Sequence, residues 1–178
     1  GVLGAEAQRR LACRIGEAGL RLRLACTCIG GLAAAAYGWR AVFIGAAIVG
    51  ILMGSDSDME KMQGAAKELE SRGIEHEINV LSAHRTPEEV AAYAKEAQMR
   101  GLRVLICGAG LSAALPGVVA AHTALPVIGV PLTSSKSVAG GLDALLSIAQ
   151  MPPGVPVACV GVDNAKNAAV LAARILGA

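Results

Sequence analysis

The sequence EHEINVLSAHRTPEEV, residues 75–90, joins a strand to a helix and indicates how the rest of the chain folds. Its first seven residues are typical of a β-strand. A helix is predicted to begin soon afterwards, because Thr86 can cap it, Pro87 suits the first helical position and Glu89 completes a capping box. Ligands of α/β proteins bind outside the carboxyl ends of parallel strands, so the turn that contains His84 is a candidate functional site.

The same alternation of strand and helix occurs five times from Ala47 onward. The predicted strands are Ile48–Met53, Glu75–Leu81, Arg103–Cys107, Pro126–Val130 and Val155–Val160. The predicted helices run from about Met59 to the turn residue Gly73, with a Ser57–Glu60 capping box, and then over Pro87–Arg100, Ala113–His122, Leu142–Ala149 and Asn164–Leu176. This order predicts an α/β fold with a five-stranded parallel sheet covered by helices on both faces.

The composition fits such a sheet and argues against a nucleic-acid partner. Apolar residues make up 54% of the chain and charged residues 17%, which suits strands buried on both faces and additional surface buried against copies of the same chain. The net charge of +2 is divided, because residues 1–47 carry +4 and residues 48–178 carry −2. The larger part has no basic stripe and one aromatic residue, Tyr93, whereas nucleic-acid binding requires the opposite.

The remaining ligand-bearing residues do not predict a metal or a cofactor. None of the five cysteines forms a Cys-x-x-Cys pair, and Cys107 and Cys159 end apolar runs, as buried thiols of a reducing compartment do. His76 and His122 are too widely separated to suggest a metal site. The chain has no Walker sequence, and its Gly-x-Gly-x-x-Ala run at residues 108–113 lacks the acidic residue that nicotinamide binding requires.

The first 46 residues are predicted to lie outside the α/β domain, which we place at residues 47–178. One interpretation is an extension or upstream sequence. The other is an organelle transit peptide, since the segment is rich in Arg and poor in acidic residues, although it contains no Ser. The domain is therefore expected in the cytoplasm, or in an organelle if the segment is a transit peptide. The apolar stretch Ala25–Gly38 has the length of a buried or interfacial segment rather than a membrane span, and no membrane association is predicted.

The edge of the sheet to which His84 belongs is predicted to bind an anion. It collects the turns Gly54–Asp58, Ser82–Thr86, Gly108–Ala113 and Pro131–Gly141. Helices that begin at this edge offer free N–H groups and the positive end of a dipole. Hydroxyl donors and a guanidinium that can hold a phosphate with two bonds are supplied by Ser55, Ser57, Ser82 and Arg85. The small residues Gly54, Gly108 and Gly110 allow close approach of the backbone.

Asp58 adds an acceptor for a sugar hydroxyl or an amine, so a phosphorylated ribose compound is the predicted ligand. Simpler roles remain open for some of these residues. Capping a helix could be the whole role of Ser57 and of Thr86, and Asp56 could be a solvated turn residue. His84 is harder to explain as a structural residue. It lies at the predicted site edge, and an imidazole can transfer a proton near neutral pH.

Six sequence blocks occur in the order of one family. They are Met53–Asp58, Ser82–Pro87, Gly108–Gly110 with Leu115–Gly117, Pro126–Pro131, Gln150–Pro152 and Asn167–Ala169. Together they resemble the family of N5-carboxyaminoimidazole ribonucleotide (N5-CAIR) mutases, often called the catalytic subunit of phosphoribosylaminoimidazole carboxylase. The resemblance covers residues 47–177.

The resemblance implies a three-layer sandwich of flavodoxin-like type that assembles as a homo-octamer with active sites between subunits. The implied reaction belongs to purine biosynthesis and moves the carboxylate of N5-CAIR to C4 of the imidazole, giving CAIR without ATP, metal or biotin. Aminoimidazole ribonucleotide (AIR) and CO₂ are the implied intermediates, and His84 is the implied general acid and base. The implied substrate-binding residues are Ser55, Asp58 and Arg85, with Ser57 and Ser82 at the phosphate, Gly108, Ala109 and Gly110 beside CO₂, and Gly54 and Ala83 in the same turns.

The chain departs from the family at three places. Many bacterial members have His at the position of Ala114 and small residues at those of Leu111 and Ser112, and the polar helix that usually follows the last helix is absent. Animal-type relatives, which carboxylate AIR directly with CO₂, have Lys at the position of Arg85. Arg85 therefore favours the mutase, and direct AIR carboxylation is kept as an alternative. Ala114 and the absent helix leave an inactive nucleotide-binding relative as another. A third is the related carboxylase-hydrolase of nickel-pincer cofactor synthesis, which is not expected to carry Ser82–Pro87.

Overall fold

The computed structural model of the chain describes residues 48–178, and the predictions for residues 1–46 and for Ala47 lie outside this part. The strands are β1 (Ile48–Met53), β2 (Glu75–Val80), β3 (Leu102–Gly110), β4 (Val127–Leu132) and β5 (Ala158–Cys159). The helices are α1 (Met59–Ser71), α2 (Pro87–Glu96), α3 (Leu115–His122), α4 (Leu142–Ala149) and α5 (Ala165–Leu176). Short 3₁₀ turns cover Asp56–Asp58 and Val138–Gly140.

The five strands form one parallel sheet in the order β2-β1-β3-β4-β5. This order is that of flavodoxin-like folds, so the predicted fold is confirmed. The chain runs outward in one direction from β1 to β2 and in the other from β3 to β5. The carboxyl ends of β1 and β3 therefore flank the topological switch point, where ligands of such sheets bind.

Helices cover both faces of the sheet, because the side chains of each strand alternate between two apolar clusters. Ile51 and Ile106 pack with α1 and α5 on one face. Leu52 and Leu105 pack with α2, α3 and α4 on the other. The face of α5 toward the sheet consists of alanines, namely Ala165, Ala168, Ala169, Ala172 and Ala173, all of them buried. Such small side chains let this helix lie close to the sheet and to α1.

Three element boundaries differ from those predicted by three residues or more. Helix α2 ends at Glu96 rather than at Arg100, and the chain reverses at Gly101 with φ of 92°. Strand β5 has two residues rather than six, since the preceding Pro152, Pro153 and Pro156 have no N–H to donate to a ladder. Strand β3 continues to Gly110, whose backbone pairs with Leu132 of β4.

The predicted end of α1 is confirmed, but both predicted capping boxes are wrong. Gly73 ends α1 in a Schellman arrangement, because the N–H of Ile74 donates to the Leu69 carbonyl at 3.0 Å. Ser57 caps nothing; the oxygen of Ser55 instead accepts its N–H at 3.3 Å. The hydroxyl of Thr86 lies 3.3 Å from both the N–H and the carbonyl of Ser82, so it closes the turn before α2 rather than capping the helix.

Within residues 48–178, no helix combines the length and the apolar character that crossing a bilayer demands.

Candidate active site

A cavity of about 380 Å³ opens at the carboxyl edge of the sheet, where β1, β2, β3 and β4 end. This volume suits a small ligand of nucleotide size. The residues that line it are Gly54, Ser55, Ser57, Asp58, Ser82, Ala83, His84, Arg85, Ala109, Gly110, Leu111, Ser112, Ala114, Leu115, Thr133 and Ser134. The turn after each of four strands therefore contributes to a single site.

Every predicted site residue lies in this lining except Gly108. A Cβ atom at position 108 would overlap the sulfur of Met62, and Met62 is a buried residue of α1. Gly108 thus faces the core between β3 and α1 rather than the cavity. The sequence could not indicate that Gly108 faces the core while Ala109 and Gly110 line the cavity, because three small residues in a row show no alternation of apolar and polar side chains.

The turn after β1 presents two hydroxyls to the cavity. Ser57 Oγ donates to Ser55 Oγ at 2.9 Å, and the N–H of Ser57 also points to Ser55 Oγ at 3.3 Å. Because the Ser55 oxygen accepts in both contacts, its own O–H is free to donate to a ligand oxygen. Ser57 is therefore not a helix cap, which was one interpretation of the sequence. Its N–H and its hydroxyl instead orient the side chain of Ser55.

Asp58 ends the same turn, and its N–H donates to the Ser55 carbonyl at 3.0 Å. Partial burial raises the pKa of Asp58 above its ordinary value, while the positive charges of Lys61 and Arg85 oppose that shift. Burial disfavours the charged form of a carboxylate and so makes it readier to accept a hydrogen bond from a ligand. Asp58 therefore lies in the cavity as an acceptor that lacks full solvation.

The turn after β2 carries Ser82, His84 and Arg85. Ser82 closes it twice: its carbonyl accepts the N–H of Thr86 at 2.8 Å and its hydroxyl accepts the N–H of Arg85 at 3.3 Å. The guanidinium of Arg85 reaches across to the turn after β1, where Nη2 donates to the Gly54 carbonyl at 2.5 Å. The guanidinium has five N–H groups, so others remain to bind an anion.

His84 is exposed at the cavity, and among the described residues no partner is hydrogen-bonded to its ring. The other two histidines have structural surroundings, as predicted. His122 Nδ1 lies 2.8 Å from the carbonyl oxygen of Val118 in its own helix. His76 Nδ1 lies 3.5 Å from the Ile74 carbonyl oxygen. Of the three histidines in the described residues, His84 is therefore the one whose imidazole lies in the cavity at the carboxyl edge of the sheet.

The end of β3 forms an apolar wall. Ala109 is buried, and a Cβ atom at Gly110 would lie 2.9 Å from the backbone oxygen of Leu132, so glycine is needed for this close approach of β3 to β4. Leu111 adopts φ of 56°, which is strained for a residue other than glycine, and exposes 42% of its surface at the cavity. Ala114 and Leu115 complete the wall where α3 begins.

The end of β4 adds Thr133 and Ser134, which the sequence placed at the site edge only as part of the turn Pro131–Gly141. Thr133 is bonded to two residues that sequence analysis missed, Lys61 of α1 and Asp163 after β5. Burial tends to raise the pKa of Asp163, but hydrogen bonds from Thr133 and Lys61 outweigh it, so this pKa lies below its ordinary value. Asp163 follows a strand and so belongs to the site edge, which is the signal that could have found it.

The described residues contain no cluster of three or more His, Cys, Asp and Glu side chains that could hold a metal ion. The donors that converge on the cavity are hydroxyls, one guanidinium and one imidazole. These groups bind anions and move protons.

Comparison with known proteins places the chain in a family. The sequence model of the family described as AIR carboxylase matches residues 48–178. The chain belongs to the AIR carboxylase family. The matched residues coincide with the part of the chain that forms the sheet and the cavity.

Curated members of the AIR carboxylase family are close in sequence. The N5-carboxyaminoimidazole ribonucleotide mutase of Pyrococcus horikoshii is 59% identical over 130 residues, which cover 73% of this chain and 72% of that protein. The enzyme of the same name from Thermotoga maritima is 59% identical over 129 residues, with 72% and 74% covered. The chloroplastic phosphoribosylaminoimidazole carboxylase of Vigna aconitifolia is 55% identical over 130 residues, which are 73% of this chain but 23% of that protein.

Solved structures support the same family. The crystal structure of Treponema denticola PurE has a TM-score of 0.64 and 40% sequence identity, and the match covers 74% of this chain and 80% of that one. The crystal structure of a PurE2 variant from the same organism has a TM-score of 0.65 and 38% identity, with the same coverage.

Proposed function

We propose that this member of the AIR carboxylase family is an N5-CAIR mutase of purine biosynthesis. It would convert N5-CAIR into CAIR by moving a carboxylate from the exocyclic nitrogen to C4 of the imidazole. The observation that carries the proposal is the convergence of His84 with Ser55, Asp58 and Arg85 on one cavity, in a chain 59% identical to enzymes of that name.

The anion donors hold the ribonucleotide phosphate. Ser55 offers a free O–H, and Arg85 offers N–H groups beyond the one bonded to Gly54. Ser57 and Ser82 surround them with further hydroxyls, and their turns place backbone N–H groups near helix starts. The Asp58 carboxylate accepts a hydrogen bond from a ribose hydroxyl or from the amine. These contacts orient the imidazole ring of the substrate relative to His84.

His84 moves the proton in both halves of the proposed reaction. When the carbamate N–C bond breaks, its electron pair returns to the exocyclic nitrogen, which takes a proton from the imidazolium of His84. The products of this half are AIR and CO₂. Carbon C4 then forms a bond to CO₂, and the neutral imidazole of His84 removes the proton from C4. The two transfers balance, so no net proton is consumed.

The apolar wall retains CO₂ between the two halves. CO₂ has no charge and little to hydrogen-bond, so confinement in a cavity with little water is the available means of keeping it near C4. The side chains of Ala109, Leu111 and Ala114 form this wall. The proposed lid is the part of the segment 132–141 that follows Ser134, since Leu132 is paired in β4. In this part, Ala139, Gly140 and Gly141 have left-handed backbones with φ of 47°, 69° and 98°.

The proposed assembly is a homo-octamer with sites between subunits. Several large apolar side chains are exposed on the single chain, among them Met99 at 82% and Val138 at 65%. Exposed apolar groups of this size favour burial against copies of the same chain. Sedimentation equilibrium of the purified protein tests this, and a monomer at micromolar concentration would contradict it.

The function is tested by supplying N5-CAIR to the full chain without ATP and following the formation of CAIR. The comparison arm supplies AIR with bicarbonate. We expect CAIR from N5-CAIR at low bicarbonate, since the chain has Arg85 and not the Lys of the direct carboxylases. Faster formation of CAIR from AIR and bicarbonate than from N5-CAIR, at matched substrate concentrations, would instead establish direct carboxylation. Binding of AIR with no product in either arm would indicate an inactive relative.

We also propose that residues 1–46 are an extension to the catalytic domain, either retained or removed as a transit segment. Mass determination of the N-terminus of the natural protein distinguishes the two. An N-terminus near residue 47 would indicate either removal of a transit segment, which favours an organelle, or upstream sequence that is not part of the natural protein. Retention of the segment would favour the cytoplasm.

A further inference from the structure

Thr133 leaves the sheet with no strand beside it. The last pair between β3 and β4 joins Gly110 to Leu132, and the last pair between β4 and β5 joins Gly129 to Cys159. The backbone groups of Thr133 therefore lack the ladder partners that the rest of β4 has. A strand end in this position must find side chains or water as partners.

Two side chains satisfy every polar group of Thr133. Its N–H donates to Asp163 Oδ1 at 2.9 Å, and its carbonyl accepts from Lys61 Nζ at 2.7 Å. Its hydroxyl accepts from Lys61 and donates to Asp163 Oδ2. Lys61 and Asp163 also bond to each other, with Nζ 3.0 Å from both carboxylate oxygens.

The backbone of Asp163 is itself fixed to β4. Its N–H donates to the carbonyl of Pro131 at 2.8 Å, and its φ of 54° lies in the left-handed region, where Asp and Asn are the best tolerated residues after glycine. Asp163 therefore holds both Pro131 and Thr133, the two residues that flank the last paired residue of β4. The side chain replaces the ladder that a longer β5 would have supplied.

We propose that Lys61 and Asp163 are positioning residues that hold Thr133 and Ser134 in the wall of the active site for binding of the ribonucleotide. Neither residue is part of the cavity lining, whereas Thr133 and Ser134 both are. The pair thus acts through Thr133. This inference rests on the proposed function for the identity of the ligand, but the positions of the four residues do not depend on it.

The exposure of the pair argues that its role is position rather than stability. The side chains of Lys61 and Asp163 are 32% and 35% exposed, and ion pairs in such surroundings contribute little to the free energy of folding. Apart from their bond to each other, the side-chain hydrogen bonds that the structure gives Lys61 and Asp163 all go to Thr133 of the cavity wall. The positive charge of Lys61 also tends to lower the pKa of Asp58. Asp163→Asn, which keeps Lys61, therefore separates an effect through Thr133 from an effect on Asp58.

The experiment uses Lys61→Met and Asp163→Asn in the full chain, with Lys166→Met as the matched control. Asn keeps the left-handed backbone of position 163 and one acceptor for the N–H of Thr133, but it removes the charge that Lys61 contacts. Lys166 lies on α5 with 71% of its side chain exposed and Nζ 3.6 Å from Glu68. It therefore undergoes the same chemical change away from the cavity.

We expect the KM for N5-CAIR to rise about tenfold in Lys61→Met and Asp163→Asn, the effect of losing one well-placed contact to a charged group, with kcat within about twofold of the original. Amide hydrogen exchange at residues 133 and 134 should become faster in both variants and stay unchanged in Lys166→Met. An unchanged KM beside faster exchange would overturn the proposal and leave the pair as a structural contact. Unchanged exchange, or a loss confined to kcat, would overturn it as well.

Failure of the proposed function is distinguishable from failure of this inference. If the original chain forms no CAIR, the dissociation constant for AIR measured by calorimetry replaces KM, and the same tenfold criterion decides. If Lys61→Met does not fold, Asp163→Asn alone carries the test, because it preserves the backbone geometry and most of the volume.

Discussion

The guanidinium of Arg85 donates from Nη2 to the backbone carbonyl oxygen of Gly54 at 2.5 Å. These residues follow β2 and β1, two neighbouring strands, so a single hydrogen bond joins the turn that carries His84 to the turn that carries Ser55 and Asp58. The bond fixes the plane of the guanidinium at the edge of the cavity. Because His84 and Arg85 are adjacent in the chain, the position of His84 also depends on where this bond holds Arg85.

Replacing Arg85 by Lys should weaken substrate binding. An ammonium retains the positive charge but cannot reach Gly54 and a phosphate in the same planar arrangement. We expect the KM for N5-CAIR to rise about tenfold or more, as for loss of one hydrogen bond to a charged group. Steady-state kinetics at fixed ionic strength measures this, and Arg103→Lys, an exposed position in β3 outside the cavity lining, is the control. An unchanged KM would remove Arg85 from phosphate binding.

Replacing His84 by Asn should abolish turnover and leave ligand binding largely intact. Asn keeps polarity and volume near those of imidazole but cannot carry a proton between nitrogen and C4. We expect kcat to fall by about 10²–10⁴, the usual contribution of general acid–base catalysis, while AIR binds with a similar dissociation constant. The matched control is His122→Asn, whose ring contacts the Val118 carbonyl of its own helix. Retained turnover in His84→Asn would exclude His84 from the mechanism.

Replacing Asp58 by Asn should stabilise the ligand-free protein above pH 3.8 while weakening substrate binding. Burial raises the folded-state pKa of Asp58 above the ordinary value of 3.8. A carboxyl with a raised pKa contributes stability that is fully present below the unfolded pKa and is lost as pH rises through the folded pKa. The Asn side chain does not titrate, so the free energy of unfolding of the variant does not decrease in this pH range on account of residue 58.

Urea unfolding of both proteins at intervals from pH 3 to pH 8 provides the measurement. The difference in free energy of unfolding, variant minus original, should increase as pH rises through the raised pKa of Asp58 and then level off. A constant difference across this range, or one that grows toward low pH, would show that Asp58 is not held in a desolvating environment.

The order of elements was predictable because it depends on local pattern. Met62, Ala65, Ala66 and Leu69 recur at helical spacing and are the buried face of α1. Five alternations of this kind leave a parallel sheet as the expected arrangement. The rule that strand ends gather at one edge then predicts from the sequence alone that Ser55, Asp58, Ser82, His84 and Arg85 lie together.

The parts that could not be predicted depend on contacts between distant residues. Lys61 bonds Thr133 across 72 positions and Asp163 across 102, and nothing in the local sequence of α1 marks a lysine that turns toward the sheet edge. One local contact was missed as well: the hydroxyl of Thr86 closes the turn with the backbone of Ser82, four residues before it, and such a local bond competes with helix capping. The β3 pairing of Gly108–Gly110 with β4 is likewise decided by the partner strand.

Replacing Gly108 by Ala should destabilise the fold without weakening substrate binding. The new Cβ would overlap the sulfur of Met62 and lie 3.0 Å from its Cγ and Cε atoms, and Met62 is 1% exposed, so it has little room to move. We expect a loss of about 1–3 kcal/mol in the free energy of unfolding, as for other overpacked cores. The KM for N5-CAIR should stay the same at temperatures where the variant is folded, because Gly108 does not line the cavity.

A double-mutant cycle with Met62→Ala decides whether this contact is the cause. Shortening residue 62 makes room for the new methyl group, so the two changes together should cost less than the sum of their separate effects, by about 0.5–3 kcal/mol. The control is Gly64→Ala in α1, where a Cβ meets only the backbone nitrogen of Lys166 at 3.8 Å. That change should stabilise the helix by about 0.5–1 kcal/mol. Strict additivity at positions 62 and 108 would show that the contact with Met62 is not the cause of the destabilisation. A raised KM in Gly108→Ala would return Gly108 to the substrate site.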